Sequence, residues 1–130
     1  MFSHITLGTN DIRRAVAFYD AVFAPLGLQR TFSEIDDGIV AYGPANQPPQ
    51  FFICTPYNER PASVGNGTHI ALLAPNRAAV DAFHGTAIGA GGKDEGAPGP
   101  RPQYHEHYYG AYIRDLDGNK LQACCHEPEG

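Results

Sequence analysis

Hydrophobic and polar positions along this chain alternate, then cycle, then alternate again. Over Phe2 to Gly8, Ile5 and Leu7 interleave with His4 and Thr6, the period of a half-buried strand. Thr9-Asn10-Asp11 then supplies N-cap side chains, and Ile12, Val16, Tyr19 and Phe23 recur at helical spacing until Pro25 and Gly27 end the run. Three strand-like runs follow: Leu28 to Ile35, Gly38 to Tyr42, and Phe51 to Thr55. The first two are joined by a turn at Asp36-Asp37-Gly38. Residues 57–66 read as a linker. The pattern then restarts with a strand over Thr68 to Leu73 and a helix from Arg77 to Ile88, closed by Gly89 and Gly91-Gly92. Residues 93–106, rich in Pro and Gly, read as irregular or weakly extended. Tyr108 to Arg114 is a strand, Asp115 to Asn119 a tight turn, and Lys120 to Cys125 a final strand.

The restart is a repeat. An offset of 65 residues lays His4 on His69, Ile5 on Ile70, Leu7 on Leu72, Ala17 on Ala82, Phe18 on Phe83 and Gly27 on Gly92. These identities fall on a strand, a helix and its stop, so duplication explains them better than composition does. The expected fold is α+β, with two βαβββ modules, residues 1–56 and 67–130, forming one domain with a curved mixed sheet around a cleft and helices on the convex face.

Composition narrows the function classes. The 130 residues carry 9 basic and 14 acidic side chains, for a net charge of −5, and no basic cluster, which argues against nucleic acid as a partner. No run of about 18 apolar residues exists, so no membrane span is expected. The N-terminal stretch has no basic run leading into an apolar one, and the three cysteines, Cys54, Cys124 and Cys125, form no disulfide framework. The expected location is the cytoplasm.

Two βαβββ modules, a His on the opening strand of each, and Asp115-Leu116-Asp117-Gly118-Asn119-Lys120-Leu121 before the last strand resemble the vicinal oxygen chelate superfamily. That group holds glyoxalase I, bleomycin-resistance proteins and extradiol dioxygenases, and the turn is most similar to that of its small bacterial glyoxalase-like members. The resemblance implies a small-molecule ligand or substrate, a homodimer, and ligation of a divalent metal (Zn, Ni, Fe or Mn) by His4, His69 and Gln122. Strand alternation puts Gln122 in phase with Cys124 and His126, opposite Leu121, Ala123 and Cys125. The family's usual residue at position 122 is Glu. A neutral Gln makes a weaker ligand and cannot serve as a general base. The fourth ligand position of the metal isomerases falls near Phe52 or Ile53, neither of which coordinates.

Gln122, Cys124, His107, Tyr109 and Arg101 are the candidate substrate contacts, and no residue is assigned a catalytic role. Tyr104 to Tyr109 reads either as a lip over the cleft or as an exposed strand start. His105 and His107 share one side if that stretch is extended. Cys54 is expected in the core. Asp115 to Asn119 lacks the Gly and Glu of a calcium loop, and no serine sits in a nucleophile elbow. Two functions remain open. One is a metal-dependent lyase, isomerase or dioxygenase acting on adjacent oxygens; the other is a metal-free protein that sequesters a small molecule, of the bleomycin-resistance type.

Overall fold

The computed structural model describes residues 1–129; residue 130, the end of the second module as drawn from the sequence, lies outside the described residues. In chain order the elements are β1 (Ile5–Gly8), α1 (Ile12–Phe23), β2 (Gln29–Glu34), β3 (Ile39–Gly43), β4 (Phe51–Cys54), β5 (His69–Leu73), α2 (Arg77–Gly89), β6 (Lys93–Pro100), β7 (Tyr109–Arg114) and β8 (Lys120–Cys125). Asp11 caps α1 by accepting from the Arg14 amide, and Asn76 caps α2 by accepting from the Ala79 amide.

The curved sheet expected from the sequence consists of two four-stranded sheets with one topology, β1-β4-β3-β2 and β5-β8-β7-β6. In each, the first strand pairs in parallel with the last and the others run antiparallel. Thr6 lies opposite Phe52 and Ala71 opposite Gln122. Thr6 and Ala71 are 65 residues apart, so the duplication survives at the level of register. The glycines matched by the repeat have different jobs. Gly27 takes φ +76°, whereas in the second module Gly91 takes φ +100° and Gly92 serves close approach. A Cβ on Gly92 would come within 2.8 Å of the Arg114 carbonyl and 3.1 Å of the Phe18 ring.

One apolar cluster draws on both modules. Phe18, Tyr19, Val22 and Phe23 of α1 and Val80, Phe83 and Ala87 of α2 join Val40, Tyr42, Phe51, Ile53, Ile113, Leu121 and Ala123 of the sheets. The opposite sheet face, here called the open face, carries Thr6, Phe52, Ala71, Tyr112, Gln122 and Cys124 by register. Cys54 is half-buried on that face, which corrects its expected place in the core.

Residues 93–106, read as irregular or weakly extended, contribute a full strand of the second module. Lys93 to Pro100 form β6, an edge strand paired to β7 with two register shifts. Proline lacks a donor, and an edge strand tolerates that loss on its solvent side.

Side chains of the Asp115–Asn119 turn tie the modules together. Asp115, 5% exposed, accepts from the Asp117 and Asn119 amides at 2.9 and 2.8 Å, from Asn119 Nδ2 at 2.9 Å, and from the Tyr19 hydroxyl of α1. Asn119 Nδ2 also donates to the Gly8 carbonyl at 3.0 Å. Asp117 accepts from the Thr9 hydroxyl at 2.6 Å and the Asn10 amide at 2.9 Å. Asn10 in turn accepts from the Ala62 amide at 2.7 Å, which anchors the linker. Burial, followed by the Asp115 charge, pushes the Tyr19 phenol well above the usual tyrosine range, so it remains a donor. Tyr19→Phe leaves Asp115 one donor short. The expected loss is about 1–3 kcal/mol of stability in urea denaturation, with an unchanged far-ultraviolet spectrum.

Candidate functional site

The open face of the second module is built on β5, β7 and β8. Alternation along β8 sends Leu121 and Ala123 into the core and leaves Lys120, Gln122 and Cys124 on the other side, next to Tyr112 and Gly110 of β7. Gln122 is 2% exposed and Cys124 3% exposed, because the loop joining β6 to β7 folds over them.

This loop, residues 101–108, is a strap. Its backbone bonds run within itself: the Arg101 amide to the Tyr108 carbonyl at 2.8 Å, Tyr104 to Arg101 at 2.9 Å, and Tyr108 to His105 at 3.2 Å. The strap meets the sheet through side chains. The Tyr108 hydroxyl donates to Gln122 Oε1, and His105 Nε2 lies 2.9 Å from His126 Nδ1. Burial, then the adjoining Cys124 thiol, pushes the Tyr108 phenol above the ordinary tyrosine range.

The hydrogen bonds assign the histidine tautomers. The His107 amide donates to His105 Nδ1 at 3.2 Å, which puts the His105 proton on Nε2, facing His126 Nδ1. A neutral His126 then carries its proton on Nε2, 3.7 Å from Cys124 Sγ. The donors run toward the sulfur, so neutral His126 has no lone pair to take the thiol proton. Burial raises the Cys124 thiol further, against a smaller lowering by the Tyr108 hydroxyl. Cys124 is therefore a packed, protonated thiol rather than an activated nucleophile.

The candidate substrate contacts separate. Gln122 and Cys124 come together under Tyr108. Tyr109 does not join them. It pairs with Cys125, packs on the core side, and its hydroxyl donates to Asp81 of α2 at 2.6 Å while Arg77 lies over its ring. The hydrogen bond to Asp81, with burial, pushes the Tyr109 phenol to about 12. Arg101 spends its guanidinium on the Gly99, Pro100 and Ala97 carbonyls, which closes the hairpin rather than offering a cation to a ligand. His107 sits beside Glu106, and the turn removes the side it was expected to share with His105. Tyr108, not among the candidate contacts, alternates in phase with Gly110 and Tyr112, while Tyr109 alternates with the core residues Ala111 and Ile113.

The metal positions can be tested against donor chemistry. His4 accepts or donates at Ser3 Oγ, 2.8 Å away, and its ring packs on Phe52 at 5.1 Å. The His69 ring meets the edge of Tyr112 at 5.7 Å. The register makes Phe52 the counterpart of Gln122, so the two equivalent positions hold a phenyl ring and an amide whose oxygen already accepts from Tyr108. Among the described residues, no group of three or more His, Cys, Asp and Glu side chains is placed to hold a metal ion. Two imidazoles and one neutral amide whose oxygen is already engaged by Tyr108 make a weaker donor set for a divalent cation than two imidazoles and a carboxylate.

Comparison with known proteins agrees with this architecture. The model of the Glyoxalase/Bleomycin resistance protein/Dioxygenase superfamily matches residues 1–123, and the chain belongs to that family. A glyoxalase/bleomycin resistance protein from Albidiferax ferrireducens T118 is 37% identical, with 96% of this chain and 98% of that one covered and a TM-score of 0.86. The fold is shared more distantly by a lactoylglutathione lyase from Agrobacterium tumefaciens (23% identity, 96% and 92% covered, TM-score 0.66). It is shared too by the fosfomycin resistance protein FosX from Listeria monocytogenes (18% identity, 98% and 93% covered, TM-score 0.69). No curated protein matches the chain. No helix is long and apolar enough to cross a membrane.

The cover over Cys124 has a measurable consequence. In a Cys54→Ser/Cys125→Ser background, alkylation of Cys124 by iodoacetamide at pH 8 is expected to be slower than that of an unfolded cysteine peptide. It should accelerate only as the pH climbs past the ordinary thiol range of about 8.5, because a raised pKa leaves less thiolate at any given pH. Tyr108→Ala should speed labelling at pH 8 by roughly an order of magnitude. Equal rates in the two proteins would show that the ring does not cover the thiol.

Proposed function

We propose that this member of the superfamily binds a small organic molecule on the open face of its second module without a metal, in the manner of the bleomycin-resistance branch. The supporting observation is Gln122. It stands where the resemblance puts a carboxylate, it is buried, and its carbonyl accepts from the Tyr108 hydroxyl. An amide in that place can hold a ligand through a hydrogen bond but adds no negative charge to offset a cation. The aromatic rings of Tyr104, Tyr108 and Tyr112 and the net charge of −5 favour an aromatic or cationic guest.

The second reading is a metal-dependent lyase, isomerase or dioxygenase that uses His4, His69 and Gln122. What favours it is the equivalence of His4 and His69 in the two modules. A homodimer belongs to both readings: Leu73, on the open side of β5, is 71% exposed, which suits a face covered by a second copy.

Metal analysis separates the readings. Protein purified without added metal is expected to carry less than roughly a tenth of an equivalent of Zn, Ni, Fe or Mn, and its Tm should not move when any of these is added. A near-stoichiometric metal with a raised Tm would overturn the metal-free proposal. In Tyr108→Phe/Gln122→Glu protein, which frees the position and supplies a carboxylate, added Zn is expected to raise the Tm.

A further inference from the structure

Tyr108 occupies the open face as a bound molecule would. Its ring meets the edges of Tyr104, His105 and His126 at centroid separations of 4.9, 5.3 and 5.1 Å, with interplanar angles of 72°, 72° and 78°. Edge-to-face contacts of this kind hold a flat ring in a defined orientation. The hydroxyl end is fixed by Gln122 Oε1 and lies beside the Cys124 thiol. The space for the ring exists because residue 110 is Gly: a Cβ there would come within 3.2 Å of Tyr108 Cε1 and 3.1 Å of Gln122 Oε1.

Apart from the backbone of its own strap, the ring is joined to the sheet by side-chain contacts alone. The backbone bonds that shape the strap are internal to it, and the Arg101–Tyr108 pair is compatible with more than one orientation of the tyrosine side chain. With the ring turned outward, the space it fills beside Gly110 and His126 would open, with the Gln122 amide oxygen at its inner end. A guest that displaces water from this oxygen without donating to it would leave it unpaired, so the slot would favour molecules that restore the lost hydrogen bond. The chain's own occupant displays what restores it: a single aromatic ring with one hydroxyl.

We propose that Tyr108 is an internal stand-in for the ligand, and that the slot on β7 and β8 takes a small phenol-like molecule whose O–H or N–H donates to Gln122 as Tyr108 turns outward. This rests on the metal-free reading of the site and names its ligand class. The tyrosine competes with the guest, so apparent affinity is reduced by the fraction of molecules in which the slot is open.

The test uses 4-fluorophenol and fluorobenzene as probes, followed by fluorine NMR, with the Tyr108 ring signals followed by carbon NMR. Wild-type protein is expected to bind 4-fluorophenol saturably in the millimolar range or tighter, to shift the Tyr108 ring signals as it does so, and to bind fluorobenzene at least about tenfold more weakly. Tyr108→Ala is expected to bind 4-fluorophenol roughly tenfold more tightly than wild type, since the competitor is gone. Gln122→Leu should erase the preference for the hydroxyl. If Tyr108→Ala binds and wild type does not, the ring is a fixed part of the fold and the proposal fails. Equal affinity for the two probes also overturns it. Should Tyr108→Ala not fold, the wild-type titration decides alone. Metal content is measured on the same samples: failure of a metal-free sample to bind the phenol sinks only this inference, whereas a stoichiometric metal sinks the reading beneath it.

Discussion

A carboxylate cannot be buried without donors to meet it, and Asp115 is the place where this chain accepts that constraint. Its donors come from its own turn and from Tyr19 on the helix of the other module. Losing the Tyr19 hydroxyl while the carboxylate stays buried would leave the charge one donor short, which costs more than the hydrogen bond itself is worth. The turn also sets where β8 begins, and with it the phase that puts Leu121 in the core and Gln122 under Tyr108. The geometry of the candidate site is thus anchored some distance from the site itself, at a contact between halves.

Duplication supplied two equal frames that have since been filled differently. In the first module the open face carries Phe52, with Phe32 6.5 Å away and His4 packed on it. In the second, the equivalent of Phe52 is Gln122, and the surrounding residues are tyrosines, histidines and a thiol. The matched histidines keep their places in the two frames while their neighbours have diverged. The buried amide, the thiol and most of the tyrosines of the open face therefore lie on one side of the pseudo-symmetric molecule.

Much of this was legible in the amino-acid pattern. Alternation located the strands, the first helix's cap lay within Thr9-Asn10-Asp11, and the repeat offset reappeared as an identical sheet order. The phase of Gln122 against Leu121 could be read directly. What escaped was long-range or local to one turn. The Asp115–Asn119 segment looked like a simple hairpin because its partners, Gly8, Thr9, Asn10 and Tyr19, lie about a hundred residues earlier, and no periodicity reports such a contact. β6 reads as only weakly extended because of prolines and glycines that an edge strand can carry. Tyr109 was preferred over Tyr108 although the alternation with Ala111 and Ile113 already placed it with the core. Arg101 looked free because nothing in a sequence shows a guanidinium folding back on its own loop.

Two of the four edge strands, β2 and β6, bear on how such a molecule avoids its own kind. β2 is exposed along its whole length, is bulged near Arg30, and carries Arg30 and Glu34; β6 carries Pro98 and Pro100 and breaks register twice. Charge, kinks and missing donors make both borders poor templates for ladder extension. Pairing with another chain is thereby disfavoured along these two edges, while the broad flat sides stay open for specific encounters.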